Sequence, residues 1–260
     1  MTAMRLKRYP SPSGGFALGK MGVGATLLSA AKTARDYVQD GLVAMWDGIE
    51  NAGWGVHSDS IVNWKDNVSN QGAAIPTNSD VYTWESDGLK RVGTKGMIFS
   101  TSDIKQTNNS DAYTLEFVFG APNATRGNST KGFLVSSNNQ VRLTFQSNDT
   151  LNIIIDSASY PSTGLTAPIL QPHHYAWVKT SIPNGTKYNA AVYVDATSKG
   201  SSVVAGTSFT SGGITVFRAN NDWESETTMK MYALRFYSRA LTASEIAANY
   251  AIDQERFNLP

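Results

Sequence analysis

Pairs of carboxylates that alternate along the chain are the first residues in this sequence that could do chemistry. Glu224 and Glu226 lie in a polar stretch, and Glu85 and Asp87 stand just before a glycine. Hydrolysis of a glycosidic bond needs two carboxylates that flank the bond, one of them with a raised pKa. A surface turn gives no rigid frame for that geometry, and Glu116 stands alone in an apolar segment. We therefore predict no catalytic residue and interpret the protein as not being an enzyme.

The histidines are the next candidates for chemistry, and the chain has three of them: His57, His173 and His174. Successive side chains of a strand point to opposite faces, so the adjacent pair cannot chelate one ion. The chain contains neither the HExxH pattern of zinc proteases nor the GxSxG turn of serine hydrolases. These patterns predict no histidine metal centre and no catalytic triad.

Tryptophans in polar, turn-rich segments favour a different function, which is ligand recognition. Sugar-binding sites combine aromatic faces with polar groups that hydrogen-bond to hydroxyls, and the segment GWGVHSDSIVNWKDN (53–67) is dense in both. The predicted carbohydrate-binding residues are Trp54, His57, Trp64, Asn221, Asp222 and Trp223. The alternative is that these tryptophans cap the ends of a hydrophobic core, as we expect for Trp46 and Trp177.

Most of the chain that must position these residues has the period of β-strands. Eight segments are rich in β-branched and aromatic residues, most of them alternate apolar with polar positions, and clusters of Asn, Gly, Ser, Asp and Pro separate them. They are YTLEFVFG (113–120), GFLVSS (132–137), VRLTFQ (141–146), LNIIID (151–156), HYAWVKT (174–180), YNAAVYVD (188–195), ITVFRA (214–219) and MKMYALRFY (229–237). Such a series predicts an all-β fold, an antiparallel sandwich or jelly roll of two packed sheets.

Composition excludes several classes of partner. Hydrophobic residues make up 41% and charged residues 17% of the 260-residue chain, which is typical of a protein that buries a core. The formal net charge of +1, with basic residues scattered, argues against nucleic acid as a partner. There is no cysteine, hence no disulfide, and no apolar run long enough to span a membrane.

Residues 1–40 differ in composition from the rest and are predicted to form a separate segment, with the main domain over residues 41–260. The first part is basic, with Arg5, Lys7 and Arg8, and is interrupted by Gly, Pro and Ser. TLLSAAKTARDYVQD (26–40) then places Leu27 and Val38 on one face of a short amphipathic helix. We expect this arm to dock onto a neighbouring subunit, and a frayed basic terminus is the alternative.

Four segments resemble the concanavalin A-like lectin/glucanase superfamily, and in particular its laminin-G-like jelly rolls. They are GLVAMWDG (41–48), YTLEFVF (113–119), QPHHYAWVKTSIPNGTKYNAAVYVD (171–195) and MYALRFYSRALTASEIAANY (231–250). The last segment is the most specific, and its Thr242 and Glu245 form a capping box that predicts a closing helix, SEIAANY. The chain departs from the family at Asp195, where Ala and Thr follow in place of Gly.

The resemblance implies a lectin-like module, and it also indicates which cofactor such a module could bind. Glycosidases of the superfamily place Glu, Asp and Glu at alternating positions of one strand, and this chain lacks that pattern. Many relatives bind calcium through oxygens at the rim of the sandwich, so the resemblance allows a calcium ion at Asp47, Asp66 and Asn67, although none is required.

We predict from these patterns a non-catalytic binding and assembly protein, placed in a virion or on a cell surface. The preferred setting is a bacteriophage virion, as a head decoration, fibre or tail component that is anchored through residues 1–40 and displays a carbohydrate- or protein-recognition surface. The alternatives are a bacterial cell-surface carbohydrate-binding protein, and then a glycoside hydrolase.

Overall fold

The structure is a computed structural model of the 260-residue chain. It describes residues 30–69, 72–74, 81–93, 97–98, 112–122, 131–136, 141–145, 150–155, 158–166, 169–181, 187–205, 214–216 and 227–260. The predictions made for Arg5, Lys7, Arg8, Leu27, Asn221, Asp222 and Trp223 lie outside these residues.

Strands dominate the described residues, and one helix closes the chain. The strands are β1 (Leu42–Asp47), β2 (Asn63–Lys65), β3 (Gly72–Ala74), β4 (Val81–Glu85), β5 (Gly88–Gly93), β6 (Met97–Ile98), β7 (Tyr113–Ala121), β8 (Lys131–Ser136), β9 (Val141–Phe145), β10 (Thr150–Ile155), β11 (Ala158–Thr166), β12 (Ile169–Ser181), β13 (Lys187–Val194), β14 (Thr197–Ala205), β15 (Ile214–Val216) and β16 (Thr227–Tyr237). The helix is α1 (Ala243–Phe257). All eight predicted strands are present, which confirms the all-β fold class.

The strands form two main antiparallel sheets. The large sheet has eight strands in the order β14-β13-β12-β7-β16-β5-β4, with β1 also paired to β16. The second sheet has six strands in the order β11-β10-β9-β8-β15-β6, and β2 pairs with β3 separately. β11 contacts β13 and β14, and Leu165 of β11 packs against the main hydrophobic core. The predicted antiparallel sandwich is therefore confirmed.

The inner face of the large sheet carries the aromatic core, as the strand alternation predicts. In β7, Leu115, Phe117 and Phe119 point inward and belong to the main core cluster. Phe117 stacks on Tyr175 with ring centroids 5.0 Å apart. Every residue of β7 is buried, because the core covers its inner face while α1 and the residues after it contact its outer face.

A bulge in β16 decides which side chains reach the outer face. The pairing of β16 with β7 shifts between Met231 and Ala233. Met231 before the shift and Leu234 after it both point into the core. Tyr232 and Ala233 consequently both face outward, and Arg235 lies on the outer face instead of in the core. Without the bulge, strict alternation would point Arg235 into the hydrophobic core.

The closing helix begins as the sequence predicts. The Thr242 hydroxyl accepts a hydrogen bond from the Glu245 N–H, and the Glu245 carboxylate accepts one from the Thr242 N–H. Arg239 donates hydrogen bonds to the same carboxylate from both terminal nitrogens, at 2.6 and 3.0 Å. These bonds, led by the one from Arg239, lower the pKa of Glu245 to about 2. The helix extends beyond the predicted SEIAANY to Phe257.

Residues 30–40 contain no helix, so the helix predicted over residues 26–40 is wrong in its described part. The backbone N–H of Ala34 donates to Glu50 at 2.9 Å, and that of Val38 donates to Asn249 at 2.9 Å. These N–H groups bond to side chains of the sandwich and not to the carbonyls of a preceding helical turn. Residues 31–260 form one compact unit, and the division of the chain at residue 40 stays a prediction.

The hairpin between β13 and β14 uses an unusual turn residue. Asp195 and Ala196 both have left-handed backbone conformations, with φ of 49° and 57°. Such two-residue turns normally place Gly second, because a Cβ is strained there. The turn is held by Asp195, whose N–H donates to the His174 carbonyl at 2.9 Å and whose carboxylate accepts from the His174 N–H at 3.1 Å.

We predict that Ala196→Gly raises the free energy of unfolding by about 1 kcal/mol, because glycine removes the left-handed strain. Urea denaturation followed by tryptophan fluorescence measures the change. The matched control is Ala251→Gly at an exposed position of α1, which should lower stability by about 0.5–1 kcal/mol. If both substitutions lower stability, the left-handed turn is not strained in the folded protein.

Candidate functional site

A groove opens on the outer face of the large sheet and encloses a volume of about 290 Å³. We call it the outer groove, and define it by an apolar side with Leu170, Pro172 and Tyr232 and a polar side with Glu85, Lys90 and Lys230. These residues come from β4, β5, β12 and β16, so the groove runs across strands that are distant in sequence. Its size is that of a small-molecule subsite.

The apolar side lies where β12 and β16 both depart from regular pairing with β7. The pairing of β12 with β7 shifts between Ile169 and His173, and Leu170 lies in that shifted stretch. Ile169 is buried in the core, whereas Leu170 is 72% exposed, the largest value among the exposed large hydrophobic residues of the described ranges. Tyr232 faces outward at the bulge in β16 and lines the same groove as Leu170. Leu170 and Tyr232 together give the groove its apolar side.

The polar side is held by three linked ion pairs. Lys230 Nζ donates to Glu85 Oε2 at 2.6 Å and also to the Asp87 carboxylate, and Lys90 Nζ donates to Glu85 Oε1 at 2.9 Å. The bond from Lys230 lowers the pKa of Glu85, so its carboxylate is ionised at neutral pH. The Lys230 ammonium lies 4.7 Å from the centre of the Tyr232 ring.

A glycine holds the acidic turn against β16. A Cβ on Gly88 would lie 2.6 Å from the Met231 carbonyl oxygen, which real contacts do not allow. The turn that carries Glu85 and Asp87 can therefore pack close enough for Lys230 to reach both carboxylates.

A buried charge cluster lies on the same outer face, beneath α1. Arg235 donates from Nε to Glu116 at 2.9 Å, and from its two terminal nitrogens to Asp253 at 2.8 and 2.5 Å. All three side chains are 0% exposed. Burial has the largest single effect and raises the pKa of Glu116, but Arg235 and His174 together lower it by more, so Glu116 is ionised. Asn249 of α1 donates to the same Glu116 oxygen at 2.9 Å.

The adjacent histidines have different surroundings, as the strand period predicts. His174 is fully buried on the outer face, with Nε2 3.5 Å from Glu116 and 3.9 Å from Asp253. His173 instead lies 2.6 Å from the Asp195 carboxylate through Nδ1. Within the described ranges, no group of three or more His, Asp or Glu side chains is placed to hold a metal ion.

Asp66, one of the three residues predicted to bind calcium, accepts hydrogen bonds from within the protein. Asp66 is 0% exposed, and its carboxylate accepts from the N–H groups of Met45 and Val68 at 2.8 and 2.9 Å and from the Ser69 hydroxyl at 2.5 Å. Asn67 is 3% exposed. A cation at Asp66 would have to displace these donors.

Asp47, the third residue predicted to bind calcium, is hydrogen-bonded through one of its two carboxylate oxygens. Its Oδ1 accepts from two backbone N–H groups of the following turn and from Arg256 at 2.7 Å. Burial raises the pKa of Asp47, partly opposed by Arg256. The carboxylate therefore ties β1 to the last turn of α1.

The tryptophans predicted to bind sugar divide into buried and half-buried. Trp64 is 0% exposed, its indole N–H donates to the Asp47 carbonyl at 3.0 Å, and its ring meets Trp84 edge-on at 5.1 Å. It therefore has no face for a ligand, and the core-capping alternative is correct for it. Trp54 is half-buried with the Arg35 guanidinium 4.6 Å above its ring. His57 bonds to the Gly48 and Ile49 carbonyls at 3.1 Å in the same loop.

The groove residues were missed by the sequence predictions, although signals existed for some of them. The sequence predicts that Glu85 and Asp87 are surface acids of a turn. In MKMYALRFY, the apolar positions Met229, Met231, Leu234 and Phe236 change phase between Met231 and Leu234, which indicates the bulge. Alternation predicts that Ile169 and Leu170 face opposite sides of the sheet, but no local pattern indicates that the outer side is left uncovered at Leu170.

Comparisons with known proteins agree with this architecture. A laminin G family model, described as concanavalin A-like lectin/glucanases superfamily, matches residues 93–247. No sequence among the curated proteins matches the chain. In the part of the chain that the structure describes, no helix is long and apolar enough to cross a membrane.

Several solved structures share the fold at low sequence identity. Trypanosoma rangeli sialidase in complex with sialic acid matches with 18% identity and a TM-score of 0.59, over 84% of this chain and 33% of that one. The binding domain of Paraclostridial Mosquitocidal Protein 1 matches with 14% identity and a TM-score of 0.55, over 81% and 52%. The Botulinum neurotoxin serotype G binding domain matches with 12% identity and a TM-score of 0.53, over 73% and 48%. The chain thus spans a third to a half of these proteins.

We predict that Arg235→Met lowers the free energy of unfolding by about 3–5 kcal/mol, because it leaves Glu116 and Asp253 as buried carboxylates without their cation. Urea denaturation measures the loss. The control is Lys90→Met, which removes a half-exposed ion pair and should change stability by less than about 1 kcal/mol. Equal effects of the two substitutions would show that the buried cluster does not hold α1 to the sheet.

Proposed function

The chain belongs to the concanavalin A-like lectin/glucanase superfamily, and on that premise we propose that it is a non-catalytic, lectin-like domain that binds carbohydrate in the outer groove. The observation that carries the proposal is the exposed Leu170 beside Tyr232, opposite the polar groups of Glu85 and Lys230. One surface thus offers apolar contact and hydrogen bonds together.

The two sides of the groove suit the two kinds of surface that a sugar has. A pyranose ring presents patches of C–H groups, which pack on aromatic and aliphatic side chains such as Tyr232 and Leu170. Its hydroxyls both donate and accept hydrogen bonds, and ionised groups such as Glu85 and Lys90 form strong ones. Trp54 and His57 are a second surface for the same function, but Arg35 already occupies one face of Trp54.

The charges at both acidic sites support binding without catalysis. A general acid for glycoside hydrolysis needs a raised pKa, whereas the pKa of Glu85 is lowered by Lys230. Glu116 and Asp253 are 0% exposed and bonded to Arg235, so a substrate does not reach them. We propose further that binding needs no metal ion, because the polar groups of the groove are already paired lysines and carboxylates.

We also propose a setting in a larger assembly, either a bacteriophage virion or a cell surface. The support is compositional: residues 1–36 contain six basic residues and one acidic residue, a charge excess suited to an acidic partner surface. In this arrangement residues 1–30 hold the chain in the assembly, and the sandwich presents the outer groove.

We predict that Leu170→Asp abolishes sugar binding without unfolding the protein, because Leu170 is 72% exposed. A glycan array in EDTA identifies sugars that bind, and isothermal titration then measures affinity, which should fall at least about tenfold, or about 1.4 kcal/mol. The matched control is Val203→Asp, at a strand residue that is 58% exposed on β14. It should bind like the unaltered protein.

Three outcomes contradict the proposal. If no glycan on the array binds, the domain is not a lectin, and a protein ligand replaces the sugar. If Val203→Asp weakens binding as much as Leu170→Asp, the sugar site is not the outer groove. If the protein releases reducing ends from a bound oligosaccharide, and Glu85→Gln stops the release, the domain is an enzyme.

We predict that the full chain is oligomeric and that a chain beginning at Ala31 is monomeric, as light scattering would measure. Truncation at residue 31 and not at residue 41 keeps Tyr37, whose hydroxyl donates to Asp253 at 2.7 Å. If both forms are monomeric, residues 1–30 do not assemble the protein, and the cell-surface alternative is preferred over the virion.

A further inference from the structure

We infer that the outer groove selects uncharged saccharides and rejects acidic ones. The inference rests on the proposed function and adds the chemical class of the ligand. It follows from how the three charged side chains of the polar side pair with one another and with the adjacent Asp87, and from how little of Lys230 is open to a ligand.

The charges of the polar side cancel within the protein. Glu85 and Asp87 carry two negative charges, and Lys90 and Lys230 carry two positive ones. Each ammonium is already bonded to a carboxylate, and Lys230 is bonded to two. The Lys230 side chain is only 10% exposed, so it cannot turn away from its partners toward solvent. A ligand therefore meets a locally neutral surface.

Paired groups still have hydrogen-bonding capacity for hydroxyls. Each carboxylate oxygen has about two lone-pair positions and an ammonium has three donors. Glu85 Oε1 accepts from Lys90, and Glu85 Oε2 accepts from Lys230. The Glu85 and Lys90 side chains are 39% and 37% exposed, which leaves them within reach of a ligand hydroxyl. Hydroxyl groups can use these positions without breaking either ion pair.

The carboxylate of an acidic sugar would find both lysines already paired and would be repelled by the carboxylates beside them. Its carboxylate would approach Glu85 and Asp87, whose side chains are 39% and 36% exposed, about as much as Lys90 and far more than Lys230. To reach Lys230 it would have to replace one of the two carboxylates already bonded there. Like charges placed together cost binding energy, and this is the usual means by which a site rejects a wrong ligand.

Matched pairs of sugars that differ only at the sixth carbon test the inference. The probes are methyl glucoside against methyl glucuronide and methyl galactoside against methyl galacturonide, with the corresponding disaccharides, titrated into the full-length protein. We expect at least one neutral member to bind, and its acidic counterpart to bind about tenfold more weakly or not at all. A uronide that binds as tightly as its neutral counterpart would overturn the inference but leave the proposed function standing.

A charge substitution tests the mechanism of the selection. Glu85→Gln keeps the shape of the side chain and leaves Lys90 and Lys230 with Asp87 alone, so the groove becomes positive. We expect the affinity for the uronides to rise about three- to tenfold, while the neutral sugars, which lose their hydrogen bond to an ionised Glu85 oxygen, gain none. The matched control, Glu255→Gln, removes an exposed carboxylate that bonds to the Lys32 N–H and should alter neither.

The results distinguish a failure of the proposed function from a failure of the inference about charge. If no sugar of either class binds, the proposed function is wrong, and the inference falls with it. If neutral sugars bind and Glu85→Gln gains no affinity for uronides, charge pairing is not what excludes acidic ligands.

Discussion

The bond network of Arg235 with Glu116 and Asp253 is the interaction on which the rest of this structure depends. It joins β16, β7 and α1 with one buried cation. The helix that it holds covers the outer face of the large sheet, and residues 31–40 attach to that helix through Tyr37 and Asn249. Buried charges are costly to leave unpaired, so this cluster specifies one position for α1 and penalises any other.

The bulge in β16 makes that network and the outer groove compatible. It changes the phase of the strand between Met231 and Leu234, so hydrophobic residues face the core on both sides of it. Lys230 and Tyr232 before the phase change and Arg235 after it then share the outer face. One inserted residue thus allows the buried charge cluster and the outer groove to share the same strand.

The two ionic clusters on the outer face differ in how exposed their side chains are. Arg235 and its carboxylates are fully buried, so they serve packing. Glu85 and Lys90 are more than a third exposed, so their hydrogen bonds can be shared with a ligand. The superfamily fold supplies the sandwich, and the proposed function rests on these few side chains and on Leu170 and Tyr232 beside them.

Local patterns in the sequence determined the strands, the sandwich and the start of α1, because alternation and the Thr242–Glu245 capping box act between neighbouring residues. Strand alternation also predicted that the side chains of His173 and His174 point to opposite faces of the sheet. Only the tertiary structure decided that Trp64 is buried, that Asp66 holds a backbone turn and that residues 30–40 are not helical. The outer groove is also decided only by the tertiary structure, since Glu85 and Lys230 are 145 residues apart in sequence. Which side chains meet, and which remain exposed, depends on strand register and on bulges that pair distant segments, and no local periodicity encodes that pairing.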